Sequence, residues 1–200
     1  MRGFRAEGMN NMIIGVTGKA RAGKDTIANY LVKNHNFIRL ALADPIRVIV
    51  EHVFVLSHEQ VWDEIEREKP LPQWGNRSVR QLLQLVGTEG MRNSIDPQIW
   101  AKSLWYRIQP QLAVNPKLKF VIPDMRFPDE LEFFQKNAPT SFNCWKVVRK
   151  GFVGNVGIVG HATESHDIKG DYTLTNYSSF DELYELIELG LQRIKTRETD

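Results

Sequence analysis

One cysteine, Cys144, is the whole thiol content of a chain of 200 residues. A lone thiol excludes an intrachain disulfide framework and suits a reducing cytoplasm. It lies in the apolar run from Phe142 to Val148, where a small buried side chain is expected rather than a nucleophile. No stretch approaches the roughly 20 apolar residues that a membrane span needs. Residues 1–11, MRGFRAEGMNN, lack the apolar centre of a signal peptide and read as a flexible polar extension. Charge of one sign is also scarce. Lys and Arg number 26 against 24 Asp and Glu, a net charge of +2. That balance gives no case for a general binder of nucleic-acid polymers or membrane surfaces, so any electropositive surface must be local. Internal repeats are missing too. The remaining composition, 42% hydrophobic and 25% charged, fits one soluble domain over residues 12–200.

The pattern that is present alternates strands with helices. Met12–Val16 is a short apolar run closed by a Gly-rich turn, which reads as a buried parallel strand. A helical pattern follows from Gly23, with Ile27, Ala28 and Leu31 on one face, and Phe37–Ala41 is a second strand. Asp44-Pro45 predicts an N-cap followed by proline at the first helical position. Residues 57–76 are polar and read as a short helix and a loop. Ser78 and Gln81 match a capping box at the head of a helix whose stripe is Val79, Leu82, Leu83 and Val86. Asp96-Pro97 caps the next helix, with Ile99, Trp100 and Leu104 inward. Phe120–Ile122 is a strand ending at Asp124, Phe127-Pro128 opens a helix, and Trp145–Val148 is another strand. Tyr172–Thr175 and Phe180–Ile194 supply the last strand and helix. This order predicts an open α/β layer with a mainly parallel sheet flanked by helices. Gly151–Gly160 is the loosely patterned segment where a small mobile lid, about residues 150–168, is expected.

Chemistry is concentrated first in Gly18-Lys-Ala-Arg-Ala-Gly23-Lys24-Asp25-Thr26, directly after a strand and opening a helix. Glycines let the backbone wrap an anion, and successive N–H groups with the helix N-terminus face its oxygens. This is a P-loop. Its ATP-binding candidates are Gly18, Arg21, Ala22, Gly23, Lys24, Asp25 and Thr26. Lys24 places a charge between the β- and γ-phosphates, and Thr26 holds Mg²⁺ directly or through water. The hydroxyl comes one residue later than in the commonest P-loops, because Asp25 intervenes. A carboxylate there repels phosphate unless it is turned away or bridged.

Asp124 ends an apolar strand, where ligands bind in open α/β sheets. There it either orients Mg²⁺ and its waters, contacts an acceptor, or caps the next helix. Arg126, two residues on, is placed to clamp a phosphate. Phosphoryl transfer needs several cations around the reacting group, and Arg47, Arg80, Arg92 and Arg149 are the further candidates. His161 and His166 bracket a short segment, but no second Cys/His cluster supports a zinc site. Trp74, in a loop beside Gly75, is the aromatic best placed to stack on a base.

Taken together, Gly18–Thr26, Leu42-Ala-Asp-Pro45, Ser78–Thr88, Asp96–Trp100, Pro123-Asp-Met-Arg126 and Thr175–Ser179 resemble the bacteriophage deoxynucleoside monophosphate kinase family. The resemblance runs in order from Met12 to the last helix. It implies a P-loop fold like that of nucleoside monophosphate kinases, MgATP as donor and a 5′-dNMP as acceptor. It places Asp44, Arg47, Arg80, Thr88 and Arg92 at the acceptor, and Lys24, Asp124 and Arg126 where the reacting phosphates meet. Asn176 and the residues after it fall near the donor adenine, and Arg149 supplies charge beside the lid.

The expected activity is therefore transfer of the ATP γ-phosphate to a dNMP in the cytoplasm, that of the host if the chain is phage-encoded. A kinase for dephospho-CoA or phosphomevalonate, and a non-kinase NTP-dependent switch, remain as alternatives. Whether the chain forms a homodimer stays open.

Overall fold

The computed structural model describes residues 11–150, 168–177 and 179–197. The segment expected as a lid, with His161 and His166, falls almost wholly outside them. Among the described residues no helix is long and apolar enough to cross a membrane. The chain divides into two compact units, residues 1–40 with 106–200, and residues 41–105.

The first unit is built on five parallel strands. They are β1 (Met12–Thr17), β2 (Phe37–Arg39), β5 (Lys119–Met125), β6 (Phe142–Arg149) and β7 (Tyr172–Asn176), in the order β2-β5-β1-β6-β7. Every residue of β1 is buried, as a strand covered on both faces requires. Its helices are α1 (Lys24–His35), α6 (Pro128–Asn137) and α7 (Phe180–Arg197), with the end of α5 (Ile99–Val114). Ile27, Ala28 and Leu31 are fully buried on the inward face of α1, the two larger ones worth about 1.5–3 kcal/mol each. They join Ile14, Val16, Trp145, Leu174 and Ile187 in one core. Cys144 on β6 is buried, and burial, aided by Asp171, pushes its thiol pKa up to about 12.

The second unit has its own core of Val50, Leu56, Val61, Leu71, Val79 and Leu82. It contains α2 (Asp44–Val53), α3 (His58–Trp62), α4 (Val79–Gln84) and a two-stranded antiparallel hairpin, β3 (Pro70–Leu71) with β4 (Arg77–Ser78). The capping box expected at Ser78 is present. Ser78 Oγ accepts from Gln81 N at 3.3 Å, and Gln81 Oε1 accepts from Ser78 N at 2.8 Å.

Several boundaries differ from expectation. The second strand stops at Arg39 rather than Ala41. Ala43, not Asp44, is the N-cap of α2. Asp44 instead turns back, accepting from Ala41 N at 3.1 Å and from Arg47 Nη1 at 2.8 Å. The helix begun at Val79 widens into a π-helix over Leu85–Arg92, where Trp100 Nε1 takes the Gly87 carbonyl at 2.9 Å. The polar stretch 57–76 holds a hairpin strand and two 3₁₀ turns besides its short helix.

Candidate active site

In a parallel sheet all carboxyl ends share one edge, and ligands bind in the crevice outside it. The register pairs Thr17 of β1 with Met125 of β5. The turn that begins at Gly18 and the Asp124 carboxylate therefore leave adjacent strands at the same end. Gly18 has φ +144 and Gly23 φ +114, in the region that favours glycine. A Cβ at Gly18 would lie 2.4 Å from the Val147 carbonyl, so only hydrogen fits. Between them Arg21 adopts a left-handed conformation at φ +59. The α1 N-terminus at Gly23 carries no side-chain cap, which leaves its N–H groups facing the loop.

Lys24 reaches back over this loop, donating to Gly18 O at 2.7 Å and to Lys19 O at 2.8 Å. Asp25 points to Arg39 at the end of β2, with Arg39 Nη2 to Asp25 Oδ1 at 2.6 Å. From the β6–β7 side, Arg149 Nη1 donates to Arg21 O at 3.2 Å and Asn176 Nδ2 to Ala22 O at 2.9 Å. A cleft of about 240 Å³ opens here, walled by Lys24, Thr26, Arg149, Asn176, Phe180 and Leu183 among others.

Asp124 is half-buried and Arg126 exposed. The turn between them and α6 is fixed by Glu130, a residue absent from the sequence-based candidates. Glu130 is only 4% exposed, and its Oε2 accepts from Arg126 N at 2.8 Å and Phe127 N at 3.0 Å. Phe127 has no oxygen with which to cap the helix, so the third-position carboxylate does so alone.

The second unit gathers cations of its own. Arg47 is held by Asp44 and lies with its guanidinium carbon 5.0 Å from the Trp62 ring centre. Arg67 is 14% exposed, with Glu64 at 3.8 Å. Burial, then the neighbouring charges of Arg47 and Arg80, hold its guanidinium below the usual arginine pKa. Arg80 pairs with Glu68 on the surface. The Nε atoms of Arg47 and Arg67 are buried with no hydrogen-bond partner. Three arginines thus lie close enough for their charges to interact, two of them with unmet Nε donors. Arg67 is absent from the sequence-based candidates, because residues 57–76 read only as a polar short helix and loop.

Other candidates in this unit are more dispersed. Thr88 lies in the π-helix with its carbonyl accepting from Asn93 N at 2.8 Å, and Arg92 donates to Pro97 O. Trp74 packs edge-on against Phe54 at 5.0 Å and donates to the Phe54 carbonyl at 3.1 Å. That is a packing role for the aromatic expected to stack on a base.

A profile described as deoxynucleotide monophosphate kinase matches residues 12–70. A protein of Acanthamoeba polyphaga mimivirus, itself assigned to the deoxynucleotide monophosphate kinases, is 30% identical over 187 residues, covering 88% of this chain and 94% of that one. Among solved structures, a gluconokinase from Sinorhizobium meliloti 1021 superposes with a TM-score of 0.50 at 11% identity, covering 96% and 97% of the two chains. At that identity the likeness speaks to fold, and the fold is that of P-loop kinases. On a relative spanned almost end to end, the chain belongs to the deoxynucleotide monophosphate kinase family and is an ATP-dependent nucleotide kinase.

Proposed function

We propose that the chain transfers the γ-phosphate of ATP to a 5′-deoxynucleoside monophosphate, giving ADP and the deoxynucleoside diphosphate. The observation that carries the acceptor half is the Arg47, Arg67 and Arg80 cluster, with its two unpartnered buried Nε donors. A monophosphate supplies the missing acceptors and the opposite charge together. Asp44 holds Arg47 in place, and Thr88 and Arg92 complete the acceptor side of this reading.

The donor half uses the loop Gly18–Thr26. Its N–H groups hold the β- and γ-phosphates, and Lys24 exchanges its two carbonyl contacts for phosphate oxygens as charge shifts in transfer. Arg149 adds charge from β6. Thr26 and Asp124 are hard oxygen donors of the kind that suits Mg²⁺. Among the described residues there is no cluster of three or more His, Cys, Asp or Glu to hold a metal alone. The donor set therefore fits an ion whose other ligands are phosphates and water. Thr26 and Asp124 would hold Mg²⁺ arriving with ATP, and the ion would offset phosphate charge there. Asp124 and Arg126, the latter with its backbone N–H bonded to Glu130, orient the reacting groups. No covalent protein intermediate is required.

A coupled ADP-release assay across dNMPs, NMPs, dephospho-CoA and phosphomevalonate tests the reading. Turnover confined to nucleoside monophosphates, and faster with deoxy sugars, is expected. Turnover with dephospho-CoA or phosphomevalonate alone, or ATP hydrolysis indifferent to every acceptor, sinks it.

A further inference from the structure

Asn176 closes β7, and its position suggests a task distinct from contact with a base. Its side chain is 8% exposed in the residue total and its Nδ2 donates to Ala22 O at 2.9 Å, joining the far end of the sheet to the phosphate loop. Its own carbonyl accepts from Lys150 N at 3.0 Å, which anchors the residue in the backbone beyond β6. The amide is thus fixed at its root and aimed at the loop.

A trans peptide is planar, so its C=O and the following N–H point in opposite directions. Holding the Ala22 carbonyl toward Asn176 turns the Gly23 N–H the other way, toward the loop's concave side. Gly23 is where that choice is least constrained by the chain itself. It stands at φ 114 and ψ 14, with no side-chain cap on the helix it begins. The fit is close, because a Cβ at Gly23 would lie 2.8 Å from Asn176 Nδ2. Arg149 holds the preceding carbonyl, Arg21 O, from the same side.

The geometry points to Asn176 as a positioning residue for the donor polyphosphate, locking the Ala22–Gly23 peptide with its N–H presented to the phosphates. This rests on the reading of Gly18–Thr26 as a polyphosphate site. It replaces recognition of the adenine by this side chain with control of the loop. Preorganised donors act without reorganising when ligand arrives, so loss of the lock is felt as lost affinity for phosphate.

The test compares ATP with inorganic tripolyphosphate, a probe with no base, both with Mg²⁺. Wild type, Asn176→Ala and Asn176→Asp are titrated by calorimetry as the full chain. Asn176→Ala is expected to weaken both ligands by the same factor, about tenfold, as for a lost buried hydrogen bond. Asn176→Asp should lose at least as much, because it sets a carboxylate oxygen against the Ala22 carbonyl. If Asn176→Asp does not fold, Asn176→Ser carries the same comparison, with equal loss for the two ligands still required. Weaker ATP with unchanged tripolyphosphate makes Asn176 a base contact and overturns the proposal. So does an unchanged affinity for both. Wild type that binds ATP but no tripolyphosphate also overturns it, because the loop then does not carry the affinity. Wild type that binds neither withdraws the polyphosphate reading beneath it.

Discussion

Arg39 Nη2 meets Asp25 Oδ1 at 2.6 Å, so the last residue of β2 neutralises the one carboxylate in the phosphate loop. The side chains are 44% and 65% exposed, and an exposed pair stabilises by no more than about 1 kcal/mol. Its consequence is for the ligand. Arg39→Ala leaves Asp25 unopposed beside a polyanion and should weaken ATP up to about fivefold, less at high salt. Adding Asp25→Asn should restore ATP affinity. Calorimetric titration of the single and double variants at two ionic strengths checks this, and failure of the second change to rescue the first rejects a charge role for Arg39.

Lys24→Ala should fold normally and lose transfer by on the order of a hundredfold or more, since its charge follows the phosphoryl group in the transition state. Single-turnover kinetics beside a thermal melt separate the two effects. Near wild-type kcat would remove the loop lysine from the mechanism.

Asp124→Asn keeps shape and removes charge. It should lower kcat by roughly a hundredfold with little change in either KM. If only Tm moves, Asp124 supports the turn into α6 and does not face the reacting groups.

The arginine cluster predicts a split between binding and stability. Arg67→Met keeps the buried stem, removes an unmet donor and relieves repulsion from Arg47 and Arg80. The acceptor KM should rise roughly 30-fold with the KM for ATP unchanged, while Tm stays level or rises. Arg80→Ala should also raise the acceptor KM sharply, and Arg80→Lys should recover only part, because an ammonium lacks the bidentate fork. Steady-state titrations of both substrates decide it. An unchanged acceptor KM in Arg67→Met and Arg80→Ala moves the acceptor elsewhere.

Glu188 on α7 ties back to α1, accepting from Tyr30 Oη at 2.8 Å with His35 Nε2 at 2.7 Å. Burial works against its carboxylate, but the bonds from Tyr30 and His35 outweigh it and hold the pKa below the ordinary 4.5. A depressed folded pKa stabilises above the unfolded value and loses that contribution as pH falls below it. Glu188→Gln should therefore lower Tm by a few degrees at neutral pH, and the gap to wild type should close below about pH 4.5. Thermal melts from pH 3 to pH 7 on the order of one unit apart measure it. A gap independent of pH assigns the link to packing.

Local signals were read correctly where they are self-contained. Gly18 and Gly23 bracket the phosphate loop, and Ser78 with Gln81 marks a helix start, because each needs only neighbours in sequence. Pairings between distant segments left no such mark. Arg39 reaches Asp25, Asn176 reaches Ala22, and Arg67 lies beside Arg47 and Arg80 only once the chain has folded. The π-helix was hidden because the apolar stripe ends at Val86 and Gly87 offers no side chain to read. Asp44 misled because Asp before Pro has the signature of an N-cap, whereas its carboxylate bonds backward to Ala41 and sideways to Arg47. Glu130 caps α6 without the Ser or Thr that usually announces the box.

The burial of Cys144 makes the native chain silent toward thiol reagents at neutral pH, since a thiol with a pKa near 12 exposes almost no thiolate. Any cysteine added at the surface would then be the sole reactive one, with no need to remove the natural residue. Val55 is 86% exposed in the second unit, and Val114 is 88% exposed in the first. A dye on Val55→Cys would report on the second unit alone, and in a separate variant one on Val114→Cys on the first, each against a thiol-silent background.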